Sequence, residues 1–311
     1  MKKIPVGHTI EQSYSFAFRK YLTILGIFWF PFLIMALLIL AVLVPVMKNY
    51  MGMVQVLVAQ HGGPPVLPEG FGRTISTLLL LELVLIYLYI VMRVGLAKEI
   101  MGLRTGPRFV YLSFGAAEFR VFCGYVLAFL LAYAVLIAVG LVLTVVAIVV
   151  GLASHFDPQS AQGAGAMGGF VVLLVFVFEL LLFYGLIRLT FFIVPLSLAE
   201  RKLGLFRSWA MTRGNFWRIF VILLAVWVPI MAVEFMAIAW LMGGEMSALF
   251  AAAQAGHPPD MQAILDIYMR AIPWFLAGGF VLSPVIYGLI GSPSVFAYLS
   301  VQEEAPQQEA A

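Results

Sequence analysis

VFCGYVLAFLLAYAVLIAVGLVLTVVAIVVGL, residues 121–152, holds no charged residue and no proline. As a helix it would run about 48 Å at 1.5 Å per residue, against a hydrocarbon core of about 30 Å. It is long enough to cross a bilayer with tilt or to extend beyond it. Apolar and polar residues do not alternate along it, so a transmembrane barrel strand is rejected. Five further stretches read the same way: Leu22 to Met47, Ile75 to Val94, Phe170 to Pro195, Ile219 to Met242 and Trp274 to Leu299. The expected fold is therefore all-α, a polytopic membrane bundle of six helices.

Composition agrees. Of 311 residues, 63% are hydrophobic and 11% charged, with a mean hydropathy of +1.05. A soluble domain carries about 25% charge, so a soluble enzyme is excluded, and so is a disordered chain. The lone Cys123 rules out a disulfide framework or a cysteine metal cluster, and the four histidines lie far apart. No metal or cofactor is expected. Lys2 and Lys3 ahead of the first span invite a signal-peptide reading. The span is too long for that, and a mixed segment separates it from the lysines, so a retained helix is expected.

Fifteen of the eighteen Lys and Arg fall on one side if the N-terminus is inside; only Lys48, Arg73 and Arg270 fall on the other. This split predicts cytoplasmic termini. It also accounts for the basic pI without a nucleic-acid surface, since no soluble basic domain is present to form one. The outer loops, His61-Gly-Gly-Pro-Pro, Asp157-Pro-Gln-Ser-Ala-Gln-Gly-Ala-Gly and Gly256-His-Pro-Pro-Asp, read as turn sequences. Gly163 to Gly169 reads as part of a flexible outer loop. Met261 to Ala271 reads as a separate short amphipathic helix capped by Asp260, and residues 301–311 as a disordered tail.

An aromatic-basic cluster precedes each odd-numbered span: Phe18-Arg19-Lys20, Phe119-Arg120 and Phe216-Trp217-Arg218, spaced 101 and 97 residues apart. Glu82 to Tyr87 matches Glu179 to Tyr184, again 97 apart, and Tyr287 holds the corresponding place in span six. Spans one and five share Trp29-Phe-Pro31 and Trp227-Val-Pro229. The pattern predicts three parallel hairpin repeats, about 1–104, 105–204 and 205–300, within one membrane domain. Each repeat would open with an interfacial helix. The first carries a capping box at Thr9-Ile-Glu-Gln12. The third presents Leu205, Phe206, Trp209 and Ala210 as a narrow apolar face beside Arg207 and Arg213, and ends at Gly214-Asn215. Such helices suit a partnership with anionic lipid headgroups; the alternative is simple positional anchoring.

Ser208-Trp-Ala-Met-Thr-Arg-Gly-Asn-Phe-Trp-Arg218, leading into Trp227-Val-Pro229, resembles a motif in the membrane domain attached to some glycerophosphoryl diester phosphodiesterases and in related stand-alone bacterial proteins. The likeness spans about residues 196–230. It implies a multi-span helical domain in a bacterial inner membrane, and not phosphodiesterase activity, which belongs to a separate soluble barrel that this chain has no room for.

Charged groups within hydrocarbon are the first place to look for function. Glu82, Glu179 and Glu234 each lie roughly 12–15 Å from the outer end of their spans at 1.5 Å per residue. With Tyr87, Tyr184 and Tyr287 they form a candidate intramembrane polar site for a cation, proton or small solute. Otherwise they are neutral groups bonded separately between helices. Pro31, Pro229 and Pro284 free carbonyls that could line such a cavity, or merely kink their helices. Gly278, Gly279 and Gly291 permit close helix contact. No metal-binding helix, phosphate loop or serine elbow is found. The expectation is a non-enzymatic membrane protein that transports or binds a solute, ion or lipid. A scaffold for envelope proteins is the alternative, and an intramembrane enzyme a minor one.

Overall fold

The computed structural model describes residues 3–46, 70–105, 109–153, 161–254 and 261–303. Every regular element among them is helical: α1 (Val6–Arg19), α2 (Tyr21–Leu38), a π turn (Ile39–Leu43), α3 (Phe71–Ile100), α4 (Ala116–Ala153), α5 (Ala161–Thr190), α6 (Ile193–Ala199), α7 (Leu205–Thr212), α8 (Phe216–Gln254) and α9 (Met261–Glu303). Six helical stretches are long and apolar enough to cross a membrane, beginning at Tyr21, Phe71, Ala116, Val172, Phe216 and Asp266. The chain is a multi-pass integral membrane protein with an all-α fold.

It divides into two compact units. Phe119–Phe216 forms one; Ile4–Glu118 with the chain from Trp217 forms the other. In the latter, Ile24, Ile27 and Phe28 of α2 pack with Val91, Met92 and Leu96 of α3 and with Tyr111 from the connecting loop. Lipid supplies no hydrophobic drive for helix association, so close backbone approach and satisfied polar groups must hold this unit together. A Cβ on Gly95 would lie 2.6 Å from the Tyr111 ring and 2.9 Å from Ile27, and one on Gly291 2.5 Å from Leu96. Both positions exclude a larger residue. Gly279 meets Phe32, whereas Gly278 has no neighbour within 4 Å.

Helix α1 buries Thr9, Ser13 and Ala17, a stripe of small residues spaced four apart. Ala17 packs with Val226 and Ile230 of α8 and Leu289 of α9. Pro229 and Pro284, two of the four prolines inside these helices, each leave a carbonyl without its helical donor, because a proline lacks the N–H that residue i−4 would accept. The Ala225 carbonyl, freed by Pro229, accepts from the Tyr14 hydroxyl at 2.7 Å. The Phe280 carbonyl, freed by Pro284, accepts from the Ser283 hydroxyl at 3.2 Å. These carbonyls are spent within the protein.

In the 119–216 unit, one hydroxyl sets the shape. Phe192 N–H would bond the Arg188 carbonyl if span four were continuous. Instead Ser208 Oγ of α7 accepts from Phe192 N at 3.2 Å and donates to Arg188 O at 2.9 Å. The inserted side chain divides α5 from α6, a recognised cause of helix breaks. Pro195 follows three residues into α6, where its missing N–H costs nothing.

Several local expectations are corrected. Residues 163–169 belong to α5 and not to a loop. Each glycine there costs up to about 1 kcal/mol against alanine; these residues extend the helix ahead of the apolar span that begins at Val172. Met261–Ala271 is the first part of one continuous 43-residue helix through Pro273, held by Ile267 and Ala271 against Met242. Helix α1 starts at Val6 behind Pro5, so Thr9 lies inside it and donates to the Pro5 carbonyl. The capping box is therefore not formed. The expected tail is helical as far as Glu303. Residues 161–165 of the second turn sequence are helical in α5, whereas its residues 157–160, the other two turn sequences, Asp260, Lys48 and residues 304–311 lie outside the described residues.

Candidate functional site

The densest polar cluster of the Ile4–Glu118 and Trp217 unit forms where α3 ends and α4 begins. Lys98, in the last turn of α3, donates to Glu118 Oε1 at 2.7 Å. Tyr111, from the loop between, donates its hydroxyl to the same oxygen at 2.9 Å. Glu118 is fully buried; these two charge-assisted bonds to Oε1 offset part of its desolvation cost, while its Oε2 has no hydrogen-bond partner among the described residues. Burial and then the Glu118 charge push the Tyr111 hydroxyl well above its usual range, keeping it a neutral donor. Its ring is flanked by the Lys98 ammonium at 5.9 Å and the Arg104 guanidinium at 5.7 Å. Arg104 donates to Glu99 at 3.2 Å, and its side chain is only 8% exposed. Trp29 Nε1 donates to the Phe109 carbonyl, tying the loop to α2.

This loop walls a cleft of about 740 Å³. Lys20, Glu99 and Arg104 supply its polar part, and Leu22, Trp29 and Phe280 are among its apolar walls. Ligand pockets of roughly 300–1,000 Å³ with apolar walls and a few polar groups are the usual binding geometry. The lining bears two cations and one carboxylate, a net single positive charge at neutral pH. A second cavity of about 340 Å³ lies along α1, and Lys20 lines both. Lys20 stands at the bend between α1 and α2, where its backbone leaves the helical region (φ −104°, ψ 22°).

The three predicted carboxylates are placed otherwise. Glu82 and Glu234 are exposed on α3 and α8 of one unit, and Glu179 is exposed on α5 of the other. None forms a hydrogen bond or ion pair among the described residues, and none lines either cavity. The tyrosines have unlike surroundings. Tyr87 stacks on Phe114, and Tyr287 on Phe28 at 4.7 Å. Tyr184 accepts from Arg188 and packs on Trp209 and Phe216. Among the described residues, no three His, Cys, Asp or Glu side chains gather as a metal site would require.

The interface residues fall into two groups. Phe18, Arg19, Lys20, Phe119, Trp217 and Arg213 are exposed. Arg120 and Arg218 are engaged: Arg218 donates to the Ile4 carbonyl at 2.8 Å, and Arg120 to the Ser197 carbonyl at 3.4 Å. Helix α7 turns its hydroxyl side inward, burying Leu205, Ser208 and Thr212, while Phe206 is 79% exposed and Trp209 38%. The apolar face expected from sequence is thus outward except for Leu205. The inward side meets Arg188, which donates to Thr212 Oγ1 at 3.2 Å, the Tyr184 hydroxyl at 3.0 Å and the Trp209 carbonyl at 2.8 Å. Its guanidinium lies 4.0 Å over the Trp209 ring, close enough for a cation–π contact. Gly214, at φ +77°, then ends the segment in a conformation that favours glycine.

Sequence reasoning counted Lys98, Arg104 and Arg188 only as charges that set orientation, and did not single out Glu99, Tyr111 or Glu118. A signal existed in Tyr111 and Glu118, a tyrosine and an acid flanking the start of a span. No family model, curated protein or solved structure matches this chain.

Proposed function

We propose that this is a non-enzymatic membrane protein that binds and handles a lipid with an anionic headgroup through the Lys20–Arg104 cleft. The observation that carries the reading is the lining of that cleft: net positive where Lys20, Glu99 and Arg104 stand, aliphatic and aromatic along Leu22, Trp29 and Phe280. A soluble ion would have no use for the apolar walls, whereas a lipid phosphate with the start of its chains uses both parts. The charge split, with fifteen of eighteen basic residues on one side, supports a cytoplasmic position for Lys20 and Arg104, where anionic headgroups would attract each Lys or Arg by about 1 kcal/mol. Cysteines introduced at positions 65, 160 and 256 will then react with an impermeant reagent from outside, and those at 105 and 203 will not.

The test of binding is native mass spectrometry of the purified protein with added phosphatidylglycerol or phosphatidylcholine. Wild type will retain phosphatidylglycerol through detergent removal. Leu25→Trp, which fills the cleft, will not retain it. Equal retention by the filled variant refutes the reading.

A further inference from the structure

We infer that the lipid has a hydroxyl-bearing headgroup on its phosphate, seated past Lys20 in the cavity along α1; this rests on the lipid reading of the larger cleft. The observation is that one lysine lines two cavities, the second bordered by a row of hydrogen-bonding side chains. On the α2 side, Lys20 faces a space walled by Leu22, Trp29 and Phe280 beside Glu99 and Arg104. On the α1 side it faces His8, Glu11, Gln12, Ser15 and Arg19, with Phe16 and Phe296 as the apolar part of that lining. His8, Gln12, Ser15 and Arg19 recur every three or four positions, with Glu11 three residues after His8 and four before Ser15, so the five polar residues share one face of α1. Their side chains offer hydrogen-bond donors and acceptors suited to hydroxyl groups.

A phosphate at Lys20 therefore has apolar walls on one side for the glycerol and chains, and a polar stripe on the other for its substituent. A bare phosphate monoester would leave that stripe unused. A trimethylammonium group has no N–H or O–H to give it. A polyol ester can donate to Glu11 and Ser15 and accept from Gln12 and Arg19. The small side chains of the buried stripe, Thr9, Ser13 and Ala17, seat α1 on the bundle, so the polar stripe is presented by an anchored helix. Neither Gln12 nor Ser15 belongs to that buried stripe.

The experiment compares phosphatidylinositol and phosphatidylglycerol with phosphatidic acid and phosphatidylcholine, each in nanodiscs or as added lipid, by native mass spectrometry of the full chain. Wild type will prefer the two polyol lipids over phosphatidic acid by about tenfold, a differential of 1.4 kcal/mol. Gln12→Leu with Ser15→Ala will lower the polyol lipids to the level of phosphatidic acid and leave phosphatidic acid unchanged. Equal binding of phosphatidic acid and the polyol lipids by wild type overturns the inference while the lipid reading stands. A preference that survives the double substitution also overturns it. If wild type retains none of these lipids, the reading of the larger cleft falls with it. Circular dichroism and monodispersity of the variant, matched to wild type, separate lost recognition from lost folding.

Discussion

Replacing Lys98 with methionine leaves Glu118 fully buried beside a neutral side chain, with Tyr111 as its remaining side-chain donor. Removing one partner of a buried ion pair costs about 3–5 kcal/mol, because the surviving charge is left without compensation. The Lys98 side chain is 21% exposed, so water recovers part of that penalty and the lower end, about 3 kcal/mol, is expected. That corresponds to roughly a hundredfold change in the unfolding constant. The assay is reversible unfolding in mixed detergent micelles, monitored by circular dichroism, on wild type, Lys98→Met, Glu118→Leu and the double variant. In the double variant no charge is stranded, so it will be markedly more stable than Lys98→Met alone. The coupling energy from the cycle will then be large and favourable. If Lys98→Met loses under 1 kcal/mol, or the double variant loses the sum of the singles, the cluster does not hold the α3–α4 junction and the account of the cleft wall fails.

Tyr14→Phe strands the carbonyl that Pro229 leaves free, at a cost of about 1 kcal/mol. Adding Pro229→Ala returns an N–H to that carbonyl and will recover most of the loss in the same unfolding assay. Tyr111 has its hydroxyl pKa raised above the ordinary value near 10. Its contribution to stability is therefore complete below about pH 10 and is lost as pH rises beyond it. Stability measured from pH 8 to 11 will fall at the alkaline end, and Tyr111→Phe will reduce that slope. Arg188→Lys keeps the charge but gives up the guanidinium fork and its place on Trp209. The loss is about 2 kcal/mol of α7 docking, read as at least tenfold faster tryptic cleavage at the exposed Arg201 and Lys202. Unchanged cleavage would show that Arg188 does not seat α7.

The resembling stretch near residues 208–218 illustrates what a motif can and cannot disclose. Its Ser, Trp, Thr and Gly were visible, but their use was not. Ser208 divides span four, Thr212 and the Trp209 carbonyl hold Arg188, and Gly214 turns the chain. Each role depends on a group at least fifteen residues away or on a backbone angle, and neither is written in local spacing. The same holds for Tyr14, whose partner at Ala225 is 211 residues distant.

By itself the amino-acid sequence determined the solvent, the number of spans and the all-α class. Hydropathy is a local sum, and hydrocarbon allows few spanning structures because every backbone polar group must be paired. Which face of each span turns inward was decided by tertiary structure alone. Spans such as α2 and α4 are apolar all round, so no polar face marks their exposed side, and glycine fit, freed carbonyls and buried pairs make the choice. Depth along a span could be counted for Glu82, Glu179 and Glu234, but rotation about its axis could not. Sharing a level therefore did not mean sharing a cavity, and the cleft formed instead around two loop residues, Arg104 and Phe109, and a bend at Lys20.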